Sequence, residues 1–284
     1  MSASTVAPPT DTQPPTDGPR TVAEIVPLRR PWRWVSAGLV LAAVLAFLWS
    51  AVTNEQFQWS VVAQYFTAEA VLRGLGLTLW LTGLTVVLGF VIGGVLAVMR
   101  LSGNPVLVAV SWGYVWLFRS VPLLVQLLFW FNIGALYPAL SGATPVIGPV
   151  TAVIIGLVLH EAAYAAEIVR GGILSVDAGQ VEAAKALGMR GGRILRRIVL
   201  PQAMRAIVPA AGNLLIGTLK GTSIVSVLAV QDLLYSVQLI YNRNYLIIPL
   251  LLVATAWYVV VTSLLGIGQH YVERYYARGA GRLS

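Results

Sequence analysis

Long apolar runs alternate with short polar breaks over most of the chain. Residues 34–52 carry almost no charge and are long enough to cross the ~30 Å hydrocarbon core of a bilayer as one helix. A second run, 75–98, is rich in Gly and Leu. Its Gly89, Gly93 and Gly94 include a small-x-x-x-small spacing that favours close helix packing. The third apolar region, 105–136, would be about 48 Å long as one straight helix, too long for a single span. Pro122 is the expected break, with a short helix before it and the third span after it. Residues 137–148 read as a loop. The fourth span is expected over 149–169, the fifth over 204–225 and the sixth over 245–271. Residues 53–72 mix polar and aromatic side chains, which suits a membrane interface. The polar and aromatic stretch 231–244 reads as a loop. The pattern predicts an all-α polytopic membrane protein with about six transmembrane helices.

The longest polar interruption of the hydrophobic part is 177–201. Asp177 followed by Gln180 matches a capping box. Val181, Ala184 and Leu187 recur at intervals of three and give the helix an apolar face. Gly188 suits the left-handed residue that closes a helix. A second short helix follows, with Ile194 and Ile198 inward and Arg193, Arg196 and Arg197 exposed. Pro201 should end or turn it. The pattern gives a basic helix–turn–helix outside the lipid, which either docks into a partner's groove or is an ordinary loop with no partner.

Composition agrees with the membrane assignment. The 284 residues are 57% hydrophobic and 11% charged, against about 25% charged in a soluble domain. With no cysteine, disulfides and thiolate metal sites are excluded. The net charge of +8 is read through its placement, not as a nucleic-acid signal. Fourteen Lys and Arg fall in the proposed inner segments, while only Arg73 and Arg243 fall in the outer ones. That asymmetry predicts both termini and the 177–201 loop in the cytoplasm of a multi-pass cell (inner or plasma) membrane protein. Residues 1–31 hold seven prolines among Ser, Thr and Asp and read as part of a disordered tail, 1–33. A further tail is expected over 277–284. A signal peptide would have a shorter apolar core than 34–52, which therefore reads as an uncleaved anchor.

Glu182-Ala183-Ala184, Gly188, Ile198, Leu200 and Pro201 together resemble the EAA loop of ABC-importer permeases. Phe118-Arg119-Ser120-Val121-Pro122-Leu123-Leu124-Val125-Gln126 is similar to a second family segment, with Ser-Val in place of Gly-Thr. Residues 161–173 and Leu200-Pro201-Gln202-Ala203 resemble polar amino-acid permeases of the histidine/glutamine type. The resemblance covers roughly 57–276. It implies a five-helix permease core over 73–276, with 34–72 holding an additional N-terminal helix and an external segment. It also implies that the seven EAA-loop residues couple to a cytoplasmic ABC ATPase, which would hold the ATP and Mg, so that this chain has no cofactor of its own. A second permease subunit (identical or not), an external solute-binding protein and a polar amino acid substrate complete the implied set.

Ionisable groups inside spans are costly and mark candidate pathways. His160, Tyr164 and Glu167 share one face of the fourth helix at i, i+4 and i+7. Glu161 is adjacent. Glu167 alternatively pairs with Arg170. Arg119 and Gln126 flank the Pro122 break, where freed backbone groups bind ligands well, or else Arg119 snorkels to the interface. Gln231 and Asp232 either face the same path or cap a helix. His160-Glu161-Ala162-Ala163 begins like H-E-x-x-H, but Tyr164 replaces the second His and excludes that zinc site. No phosphate-binding G-x-x-x-x-G-K-[ST] occurs, so ATP hydrolysis falls to a partner and the chain reads as a transport subunit, not an enzyme. A gradient-driven secondary transporter or channel is the alternative, with Glu161 and Glu167 as proton relays.

Overall fold

The computed structural model describes residues 31–136 and 148–277, and among these every regular element is helical. Residues 1–30 of the expected 1–33 tail, 137–147 of the expected 137–148 loop and 278–284 of the expected 277–284 tail lie outside the described residues, while residues 31–33, expected in the tail, already belong to a helix. Helix α1 spans Pro31–Thr53 and belongs to a unit ending at Asn54, separate from the unit that begins at Glu55. Residues 34–53 of α1 meet the length and hydropathy of a span, and none of them is buried, so lipid is the surroundings their apolar side chains require.

The second unit starts with α2 (Trp59–Phe66) and α3 (Glu69–Arg100), followed by α4 (Pro105–Ser120), α5 (Leu123–Phe131) and the single turn α6 (Ile133–Leu136). The long α7 (Pro149–Leu174) leads to α8 (Ala178–Ala186) and α9 (Gly191–Ile194). A π turn, Leu195–Val199, joins α9 to α10 (Leu200–Gly221). A 3-10 segment, Thr222–Leu228, then α11 (Leu233–Asn244) and α12 (Ile247–Ala277) complete it. Among the described residues, five helical stretches are long and apolar enough to cross a membrane, and the bent pair α4–α5 makes a sixth if it is counted as one broken span.

Helix α7 is the centre of the unit, and α3 lies parallel to it in matched register. Leu81 packs with Val153 and Leu157. One helical stretch further on, a Cβ at Gly89 would stand 3.1 Å from Glu161 Cβ, and one at Gly93 would stand 2.7 Å from Ala165 Cβ and 2.8 Å from Ala162 O. Glycine lets the two backbones approach this closely, and dispersion between them holds the pair where lipid offers no hydrophobic drive. Gly94, in contrast, faces open space. Because α3 and α7 run the same way, Arg100 and the segment after Leu174 share one end of the bundle, and Glu69 and Pro149 share the other.

The Pro122 break is present, with α4 and α5 bent by 101°. The lengths are the reverse of expectation. The longer helix, α4, precedes the break, and α5 has nine residues. Asn104 caps α4 by accepting from Val106 N at 2.9 Å, so the whole of 105–120 is helical. Tyr114 Oη then donates to Leu159 O (2.8 Å) and Ser111 Oγ to Leu96 O (2.8 Å), fixing α4 to α7 and α3. At the other end, Trp257 Nε1 donates to Phe66 O (2.8 Å) and the two rings stack at 4.5 Å, tying α2 to α12.

Pro201 does not end its segment. The helix runs through it, because the π turn just before α10 widens the ladder where a proline cannot donate. The fifth membrane-length helix therefore covers Gly191–Leu228, starting well before the expected residue 204. The stretch 231–244, expected as a loop, is mostly helix α11. Asp232 Oδ1 accepts from Tyr235 N at 2.8 Å and starts it.

Candidate functional site

Two regions carry chemistry. The first gathers around the α4–α5 break. Gln126, one turn into α5, turns back across it. Its Nε2 donates to Phe118 O (2.9 Å) and Val121 O (2.8 Å), and lies 3.1 Å from His160 Nδ1. The carbonyls freed by Pro122 are thus already satisfied by this amide, so they do not offer the ligand site expected of a broken helix. The His160 and Tyr164 rings lie 5.0 Å apart, and the Arg119 guanidinium sits 5.2 Å from the Tyr164 ring centroid, a cation–π contact. Arg119 therefore points along α7.

Arg100, Arg119, Ser120, Tyr164 and Glu167 line one cavity of about 340 Å³, with Trp112 and Trp116 stacked at its rim. Arg170 donates to Glu167 Oε2 at 2.8 Å, so the expected pairing is made while Glu167 still reaches the cavity. Arg119, Tyr164 and Glu167 thus come together, with Gln126 and His160 beside them. Glu161 does not join them. It is 93% buried (7% exposed) where α3 meets α7, against Gly89 and beside Thr218 of α10. The cavity expected for it is not there, because residue 161 faces α3 while 160, 164 and 167 face α4. Gln231 and Asp232 lie at the opposite end of the bundle. Asp232 is fully buried as a helix cap, and burial raises its carboxyl to about 6. Arg100, Trp112 and Trp116 are additions to the site. The i, i+4 spacing of the two tryptophans next to Arg119 was their signal.

The second region is the loop at the Arg100 end. Asp177 caps α8, with its Oδ1 accepting from Gly179 N at 2.6 Å. The reciprocal half of a capping box is absent, since the Gln180 side chain instead accepts from Gln202 Nε2 at 2.6 Å. Gly188 has φ +72°, and the paired bonds Gly188 N to Lys185 O (2.9 Å) and Met189 N to Ala184 O (3.1 Å) close the helix as a Schellman motif.

The apolar face of α8 is not the expected one. Ala184 is buried with Ile194 and Val199. Val181, Met189 and Ile198 of the loop pack around them, together with Ile173 at the end of α7 and Val176 just past it, as a small core that seats the loop on that helix. Leu187 points away, 82% exposed. The 100° step per residue puts 187 about 60° from 184, and the Schellman turn carries it out of the core. The outward surface is Glu182, Ala183, Ala186 and Leu187, with Leu200 and Pro201 exposed further along and Arg193, Arg196 and Arg197 around it.

The bundle, the broken helix and the polar loop held between membrane helices define a multi-pass transport subunit. Residues 86–278 match the family described as binding-protein-dependent transport system inner membrane component, and the chain belongs to that family. It is 43% identical over 273 residues to the arginine transport system permease protein ArgU of Corynebacterium glutamicum, covering 91% of this chain and 84% of the relative. It is 36% identical over 192 residues to the nopaline transport system permease protein NocM of Agrobacterium fabrum, covering 65% of this chain and 78% of that one. Among solved structures, an amino acid ABC transporter superimposes with a TM-score of 0.67 at 35% identity, covering 72% of this chain and 94% of that chain. The protein is therefore a membrane-spanning permease subunit of an ABC importer, a class that works with ATPase and binding-protein partners. These matches favour the importer over a gradient-driven carrier.

Proposed function

We propose that this chain imports a polar amino acid of the basic, guanidino-bearing type, using ATP hydrolysed by a cytoplasmic ATPase docked on the 177–201 loop. An external binding protein delivers the substrate, a second permease subunit completes the pathway, and both termini are cytoplasmic. The observation that supports an amino-acid substrate is the cavity that unites Arg100 and Arg119 with Glu167 and the Tyr164 ring, where the guanidiniums suit an α-carboxylate. It presents both signs of charge to a zwitterion, with Glu167 shared between the cavity and Arg170. The basic, guanidino-bearing class is supported by the name of the relative ArgU, an arginine permease, and the guanidino group by that of NocM, a nopaline permease. The fourteen-to-two Lys/Arg asymmetry supports the orientation.

The test is uptake of labelled L-arginine by proteoliposomes holding this chain, its ATPase and its binding protein. Uptake should require ATP and the binding protein, and Arg119→Gln should slow it about tenfold or more while the complex still assembles. Uptake without ATP, or an Arg119→Gln variant with unchanged kinetics, would overturn the reading.

A further inference from the structure

At the end of the bundle away from the 177–201 loop, a cavity of about 570 Å³ opens between α2, α3 and α11. Arg73 of α3 and Arg243 of α11 both line it, 170 residues apart in the chain, together with Gln231, Asn244 and Tyr65. These arginines are the two basic residues of the outward-facing segments, and the fold brings both to one hollow. Its floor is tight. A Cβ at Gly74 would lie 2.6 Å from Asp232 O, so α3 and α11 cannot separate or slide without losing that contact. Its wall is braced by Asn244 Nδ2 donating to Tyr65 Oη at 3.4 Å and by Leu246 N donating to Asn244 Oδ1 at 3.0 Å.

Charge in the hollow is unbalanced. Arg73 is paired with Glu69 of its own helix. Arg243 has no ion pair among the described residues and is exposed at the last turn of α11. The hollow therefore keeps one uncommitted guanidinium, a planar fork suited to a carboxylate. Gln231 and Asn244 add neutral amides beside it.

We infer that this hollow is a low-affinity receiving site for the α-carboxylate of the incoming amino acid, with Arg243 as its main contact and Arg73 as the supporting charge. The inference rests on the amino-acid reading above. A concave site with charge at its wall fits a small solute, and it would hold the amino acid between release from the binding protein and passage toward Arg119.

The experiment uses the whole permease–ATPase complex in nanodiscs without binding protein, with labelled L-arginine and L-argininamide as probes. Argininamide keeps the guanidinium and the α-amine and lacks only the carboxylate charge. L-Arginine should bind about tenfold better than argininamide. Arg243→Gln should remove that preference, Arg243→Lys should restore part of it, and Arg73→Gln should have a smaller effect because Glu69 already occupies that side chain. The affinity of arginine-loaded binding protein for the complex is measured in parallel. If Arg243→Gln weakens that affinity and leaves free arginine binding unchanged, the arginines serve protein docking and the inference falls. Equal binding of the two probes, or no binding of arginine, overturns it as well. Arginine that is bound with the expected preference but never imported sinks the transport reading and leaves the site standing.

Discussion

Between α3 and α7, small residues vanish into the contact. Gly89, Gly93, Ala162, Ala165 and Ala166 are there because nothing larger fits, and the two backbones meet almost directly. In the loop between α7 and α10 the small residues are divided. Ala184 is the keystone of a core made by the loop and the end of α7, while Ala183 and Ala186, one residue before it and two after, remain outside beside an exposed Leu187. The difference is one of purpose. Small residues inside the membrane set a fixed distance between two helices of the same chain. Small residues on the loop's outer face keep it smooth, and a smooth face of Ala183, Ala186 and Leu187 rimmed by Glu182 and Lys185 suits a partner's groove. The loop's core is closed within this chain, so its shape does not depend on that partner.

The comparison breaks first, and most severely, at Gly93. Gly93→Leu forces a side chain against backbone atoms of α7 already 2.8 Å from where its Cβ would be. We expect little or no monodisperse protein on detergent extraction and size-exclusion chromatography. Normal yield and elution would mean the crossing is not rigid. Ala184→Asp comes next, since it buries an unpaired carboxylate in the loop's small core at a cost of several kcal/mol. The membrane helices should still assemble, but the loop should become sensitive to limited proteolysis. An intact, protease-resistant loop would contradict the core described for it. A smaller effect is expected at Gly188, whose φ of +72° costs a non-glycine residue about 1–2 kcal/mol. Gly188→Val should cut substrate-stimulated ATP hydrolysis severalfold, whereas Gly188→Asn should retain most of it. Equal activity in the two would separate the turn from coupling. Last, Gly94→Ala should change neither yield nor thermal stability by a measurable amount, because its Cβ would enter open space. A loss comparable to that at Gly93 would refute the face assignment.

Much of this was legible in the sequence, and the reasons are specific. Apolar length located the membrane-length helices at 34–53, 69–100, 149–174 and 247–276, because lipid demands it, but it misplaced the longer half of the broken pair and began the 191–228 stretch too late. Pro122 and Gly188 announced themselves through backbone chemistry that few other residues share. What periodicity left open was direction. Val181, Ala184 and Leu187 look like one stripe on paper, yet the helix ends at residue 186 and the Schellman turn throws Leu187 outward. Pro201 signals a helix end, and only the π turn upstream of it, which has no sequence marker of its own, lets the helix continue. His160 and Glu161 are neighbours in sequence but sit on different faces of α7, so ionisable character inside a span did not say which of them meets the cavity. The pairing of Arg73 with Arg243 across 170 residues is a matter of tertiary packing between α3 and α11 and leaves no local trace.

On the proposed function, the outer face of α8, and not its buried side, meets the ATPase. The most direct test is the affinity of the purified ATPase subunit for the permease in nanodiscs, comparing the wild type with Ala183→Asp. Residue 183 is exposed, so the substitution leaves the loop's core intact and changes only the surface offered. The account predicts binding weakened about tenfold or more, with unchanged protease resistance of the loop and unchanged thermal stability of the permease. Wild-type affinity in Ala183→Asp, with the loop equally well folded, would contradict it.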